Sequence, residues 1–147
     1  MARNAAANAV DPDLRAFKAR GGKLLMYHGW SDQLIPPENS INYYSSVLAK
    51  LGPNQDNFIR LFMVPGMQHC GGGPGPNQIN SMAALERWRE AGVAPNQLIA
   101  SHVTNNRVDM TRPLCPYPQV AQYQGAGSTN DAANFACKMP AKVTASY

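Results

Sequence analysis

The chain has 147 residues, with 13 Lys+Arg against 9 Asp+Glu and a formal net charge of +4. That length sets one domain able to bury its own core, and 44% hydrophobic against 15% charged residues excludes a disordered tail or a coiled coil. No two basic residues are adjacent and the apolar runs, such as LLMY at 24–27, are short, so neither nucleic acid nor a membrane is an expected partner.

The opening residues, MARNAAANAVDPDL, hold no apolar stretch of signal-peptide length. Read alone, this predicts either a cytosolic protein or a chain whose true beginning lies further upstream. Asp11-Pro12 offers an N-cap and a proline at a first helical position, Leu14 and Phe17 share a face, and Gly21-Gly22 ends the helix. Residues 23–28 (KLLMYH) form a continuous run bounded by glycine, as in a strand buried on both faces of a parallel sheet. Pro36-Pro37 opens a second helix, with Ile41, Tyr44, Val47, Leu48 and Leu51 at helical spacing and Gly52 after its end.

Residues 58–64 (FIRLFMV) give a second buried strand, ended by Pro65-Gly66. Ile79, Met82, Leu85 and Trp88/Arg89 mark a third helix that stops at Gly92. Residues 98–104 (LIASHVT) give a third strand, with Asn105-Asn106 as a tight turn after it. Alternating helices and strands predict a three-layer α/β fold with a mainly parallel sheet, in one domain over 1–147. From about residue 111 to 147 the periodicity fades into a segment rich in Pro, Gly and small residues, expected to be an irregular surface tail. Cys115 and Cys137 are placed to staple it, closing a loop for which a disulfide stabilises by about 3 kcal/mol. Cys70 is the third cysteine, and an odd count leaves at least one thiol without an internal partner.

In open α/β sheets the functional groups lie just past the carboxyl ends of strands. The first strand runs into His28-Gly29-Trp30-Ser31-Asp32, the second into Pro65-Gly66-Met67-Gln68-His69-Cys70. An aspartate after one strand and a histidine after the next is the later part of a Ser, acid, His chain order. The acid holds the histidine Nδ1–H so that Nε2 can take a proton from the nucleophile. Alone, Asp32 reads as the cap of the turn before Ile35-Pro36, and His69 as a loop histidine satisfied by backbone. Together, in the right order at two strand ends, they read as an acid and a base.

His28, at the end of its strand, reads as a packed and hydrogen-bonded side chain rather than the base, and His102 as structural. Ser31 is a poor nucleophile: it adjoins the acid, and Gln33 stands where the second glycine of an elbow is needed. HCGGG at 69–73 follows the acid, whereas an oxyanion loop precedes the nucleophile, and no G-K-[ST] ending supports a phosphate cradle. Those glycines are expected to turn the backbone away from His69. Cys70 is read against a buried inert thiol, a catalytic cysteine using His69, and a zinc ligand; no CxxC or HxxxH spacing supports the last.

These residues resemble the tannase and feruloyl esterase family of α/β-hydrolases, through DPDLRAF, GGKLLMYHGWSDQLIPP, PGMQHCGGGPGPN and RPLCPYPQVAQYQGAGSTNDAANFAC. The resemblance implies the C-terminal part of an α/β-hydrolase fold, with Asp32 and His69 as catalytic acid and histidine and Cys115–Cys137 as a disulfide. It also implies that Cys70 pairs with a cysteine beside the nucleophilic serine, outside this chain. The family's calcium site lies in an upstream lid, so no cofactor is expected here. The substrate implied is a small phenolic-acid ester, hydrolysed by a Ser-Asp-His mechanism in a secreted or periplasmic protein. The chain alone is then an inactive fragment, whose partner is an N-terminal half or a second copy meeting its open sheet edge. The alternative is a non-enzymatic remnant that acts as a binding module.

Overall fold

The computed structural model describes residues 9–141. The start and finish of the chain at 1–8 and 142–147, with part of the expected tail, lie outside the described residues.

The first helix, α1, runs Arg15–Ala19, later than Asp11-Pro12 suggests. Asp11 Oδ1 accepts the Asp13 N–H instead, and Asp13 Oδ1 accepts the Arg15 N–H, so two short Asx turns lead into the helix. Strand β1 (Leu24–Gly29) follows, then α2 (Glu38–Leu51) and strand β2 (Ile59–Val64). Pro37 caps α2 at its start, and Gly52, at φ 95°, closes it by donating its N–H to the Leu48 carbonyl. The two strands pair in parallel, from Leu24 opposite Ile59 to Gly29 opposite Val64.

Strand β2 is the spine of the molecule. Its side chains alternate between two clusters, as the period of two requires. Ile59, Leu61 and Met63 join Phe58 with Tyr44 and Val47 of α2. Phe62 and Val64 turn the other way, towards Met67, Leu98, Ala100 and Leu114. Strand β1 is much less covered than β2, with Tyr27 exposed. One edge of β2 meets β1, and beyond its other edge Phe62 bridges Pro116 and Tyr117 donates its N–H to the Leu61 carbonyl at 2.7 Å. Among the described residues no strand pairs with the far edge of β1.

The remainder corrects the expectation of a mainly parallel sheet. Short strand β3 (Gln78–Ile79), β4 (Leu98–Thr104) and β5 (Arg107–Leu114) form an antiparallel sheet, and β6 (Val120–Tyr123) pairs antiparallel with β7 (Phe135–Lys138). The strand pairing is therefore mixed. The cause is local: Asn105 and Asn106 both have positive φ, 50° and 62°, so the turn after β4 is a two-residue hairpin that reverses the chain at once. The expected irregular tail accordingly contains the end of β5, the two strands β6 and β7 and a 3-10 turn at Ala132–Asn134, and the Cys115–Cys137 disulfide is present.

Helix α3 (Ser81–Ala91) begins where Asn80 Oδ1 accepts the Ala83 N–H and ends at Gly92 in the left-handed region. Trp88 is buried, whereas Met82, read as part of the same apolar stripe, is exposed. No helix among the described residues is long and apolar enough to cross a membrane.

Candidate active site

The parallel register of β1 and β2 brings their C-terminal loops side by side. Trp30 donates its N–H to the Val64 carbonyl at 2.9 Å and Ser31 to the Met67 carbonyl at 3.0 Å, which clips the acid loop to the histidine loop. Gly29 makes the clip possible: a Cβ there would lie 2.2 Å from the Met67 carbonyl oxygen. Buried Met67 anchors the second loop from below. The glycine run closes that loop on itself, with Gly75 donating its N–H to the Gly66 carbonyl and Gly73, at φ 85°, packed against the same oxygen. The glycines thus serve a sharp turn, as the sequence suggests.

Asp32 is the centre of the site. Its side chain is 3% exposed, and each oxygen has its own work. Oδ1 accepts the backbone N–H groups of Leu34 at 2.8 Å and Ile35 at 2.9 Å. Oδ2 lies 2.8 Å from His69 Nδ1 and 3.1 Å from His28 Nε2. The turn-capping and histidine-holding readings are therefore both true, one oxygen for each. Burial opposes ionisation of this carboxyl, but the Ile35 N–H, the His69 imidazole and the Leu34 N–H outweigh it and hold its pKa well below the usual aspartate range.

His69 is 43% exposed at its side chain, and among the described residues no hydrogen bond engages its Nε2. Its Nδ1 is bound to a buried carboxylate and its other nitrogen is open. Such an imidazole is oriented to accept a proton on Nε2 from a group brought from outside. Around it Tyr27, Gly29, Ile35 and Met67 line a pocket of about 130 Å³, into which Cys70 also faces. Cys70 is exposed, has no partner among the described residues, and sits at φ 58° in the left-handed region. A larger concavity of about 290 Å³ lies behind Trp30, between Met63, Arg112, Tyr117 and Phe135, and does not reach His69.

Sequence reasoning set His28 aside as a packed side chain. The structure agrees that it is packed and hydrogen-bonded but joins it directly to Asp32. The spacing of four residues within HGWSD was the available signal. His102 is part of the hairpin surface, its Nδ1 2.7 Å from Asp109 Oδ1. The Thr104 hydroxyl and then His102 hold the Asp109 carboxyl below its usual pKa.

The solved structures that this chain superposes on are esterases of the α/β-hydrolase type. The family model described as tannase and feruloyl esterase matches residues 3–138, and the chain belongs to that family. It is 45% identical over 135 residues to mono(2-hydroxyethyl) terephthalate hydrolase from Piscinibacter sakaiensis, covering 90% of this chain and 22% of that protein. It is 41% identical to a probable feruloyl esterase from Arthroderma benhamiae, covering 89% of this chain and 25% of the relative. Among solved structures, feruloyl esterase B from Aspergillus oryzae superposes with a TM-score of 0.82 at 32% identity, over 87% of this chain and 29% of that one. The chain therefore spans only about a quarter of the length of these relatives.

Proposed function

We propose that this chain is the acid and histidine part of a serine carboxylic-ester hydrolase acting on small phenolic-acid esters. The observation that supports the reading most strongly is the 2.8 Å contact between Asp32 Oδ2 and His69 Nδ1, with Nε2 left open. His69 takes the proton of a serine hydroxyl as it attacks the ester carbonyl, then returns it to the departing alcohol. Asp32 keeps the imidazole in the tautomer with a bare Nε2 and stabilises the cation that forms. Water, deprotonated by the same imidazole, then cleaves the acyl-serine and releases the acid, and the proposed chemistry needs no cofactor.

The serine and its oxyanion donors belong, in this reading, to a part of the protein outside the chain. The unpaired far edge of β1 offers a strand position, and exposed Tyr27, Trp30, Leu34 and Ile35 surround the site as an apolar surface suited to being covered. Cys70, exposed beside His69, bonds there to a cysteine next to the serine, tying the two loops. The Cys115–Cys137 disulfide favours an oxidising compartment, secreted or periplasmic.

The test is hydrolysis of methyl ferulate and methyl gallate. The chain alone is expected to give no turnover, and mixing with a separately produced N-terminal half to restore it, with no restoration from His69→Ala. Turnover by the chain alone that persists in Cys70→Ser but is lost in His69→Ala contradicts the divided site. Capture of the other half without chemistry favours the binding-module reading, which the open β1 edge alone would support.

A further inference from the structure

His28 is 11% exposed at its side chain and stands between three partners. Its Nε2 faces two acceptors, Asp32 Oδ2 at 3.1 Å and the Ile35 carbonyl oxygen at 3.2 Å. A ring nitrogen facing two oxygens that can only accept carries the proton. Its Nδ1 lies 2.7 Å from Ser40 Oγ, and a hydroxyl can donate to the bare nitrogen of that tautomer. Ser40 is itself fixed on the first turn of α2, its N–H donated to the Pro37 carbonyl at 3.1 Å. The chain of bonds therefore has a direction, from the Ser40 hydroxyl through the imidazole to the Asp32 carboxylate.

The effect falls on Asp32. The terminal torsion of an aspartate is broad, and the N–H groups of Leu34 and Ile35 pin only Oδ1. His28 holds Oδ2, the oxygen that His69 uses, so the carboxylate plane is fixed from both ends. With Nδ1 and Nε2 both engaged, His28 has no free nitrogen with which to act as the base itself.

We propose that His28 is a positioning residue, directed by Ser40, whose Nε2–H sets the plane in which the Asp32 carboxylate receives His69. The inference rests on the Asp32–His69 reading above and deepens it.

The test uses ¹⁵N–¹H NMR of the imidazoles in the 147-residue chain, comparing the natural sequence with His28→Gln, His28→Asn and Ser40→Ala. In the natural chain His28 is expected to show a protonated Nε2 and a bare Nδ1; a proton on Nδ1 alone overturns the proposal. Glutamine carries an N–H donor to about the place of Nε2, whereas asparagine reaches Ser40 but falls short of Asp32. Solvent exchange of the His69 Nδ1 proton is expected to stay within about twofold in the glutamine variant and to rise roughly tenfold in the asparagine variant, as loss of one buried hydrogen bond implies. Equal exchange in the two variants overturns the proposal, since a merely space-filling role would not separate them. Ser40→Ala, which leaves both histidines and the two acceptors at His28 Nε2 in place, is expected to keep the Nε2–H tautomer and to raise the solvent exchange of that proton several-fold, because the ring loses its hold at Nδ1; unchanged exchange removes Ser40 from the account. If His69 in the natural chain carries no Nδ1 proton, the Asp32–His69 reading fails together with this inference, whereas failure confined to His28 leaves that reading intact.

Discussion

Asp32 and His69 lie 37 positions apart in sequence, and Oδ2 of the first receives Nδ1 of the second at 2.8 Å because two adjacent parallel strands end at the same level. In an enzyme that also carries the serine, Asp32→Asn is expected to lower kcat by about 10⁴-fold with little change in KM, because an amide can hold the histidine in the wrong tautomer. Steady-state hydrolysis of methyl ferulate measures this. A loss below about tenfold contradicts the assigned role.

The same carboxylate sets a pH dependence. Its folded pKa lies below the ordinary aspartate value of 3.8, so ionised Asp32 contributes stability that is complete above that value. The contribution fades as pH falls below 3.8 towards the folded pKa. Urea unfolding at a series of pH values is expected to show a shallower acid decline in Asp32→Asn than in the natural chain. Parallel declines contradict this.

Gly29 separates two backbones that nearly touch. Gly29→Ala drives its Cβ against the Met67 and Gln68 carbonyl oxygens, at 2.2 and 2.7 Å before relaxation. The expected destabilisation is about 1–3 kcal/mol, read from denaturant unfolding, as for other overpacked sites. Gly71, where a Cβ would meet nothing within 4 Å, is the control and is expected to tolerate alanine far better.

The cysteines divide cleanly. Thiol titration under non-reducing, denaturing conditions is expected to find a single reactive group per chain, Cys70, because Cys115 and Cys137 are bonded across 22 positions. Cys137→Ser is expected to cost about 3 kcal/mol of stability, the value for closing a loop of that order. Three reactive thiols in the natural chain would contradict the bridge.

Much of this was legible in the sequence, and the failures have physical causes. The LLMYH and IRLFMV runs announce buried strands because continuous apolar character has few other uses at that length. Residues 98–104 are found as a strand, but their direction is missed. The Asn105-Asn106 pair permits only an antiparallel return, and RVDMTRPL after it alternates too weakly, with a proline inside, to read as a strand unaided. Asp32 and His69 are singled out because strand ends concentrate chemistry, and the structure brings the two side chains into contact. His28 is assigned no role because a histidine at a strand end has many structural uses. The four-residue spacing to Asp32 was a signal left unused, while the bond to Ser40 depends on how the turn through Pro36-Pro37 brings α2 back over β1, which no spacing encodes.

The account turns on the proton between Asp32 and His69, and the low-field imidazole region of the ¹H spectrum, assigned through ¹⁵N, reads it directly. The natural chain is expected to show a hydrogen-bonded His69 Nδ1 proton, with Nε2 bare in the neutral ring, and Asp32→Asn to lose that signal. A neutral His69 that carries its proton on Nε2, with the spectrum unchanged in Asp32→Asn, would contradict the account.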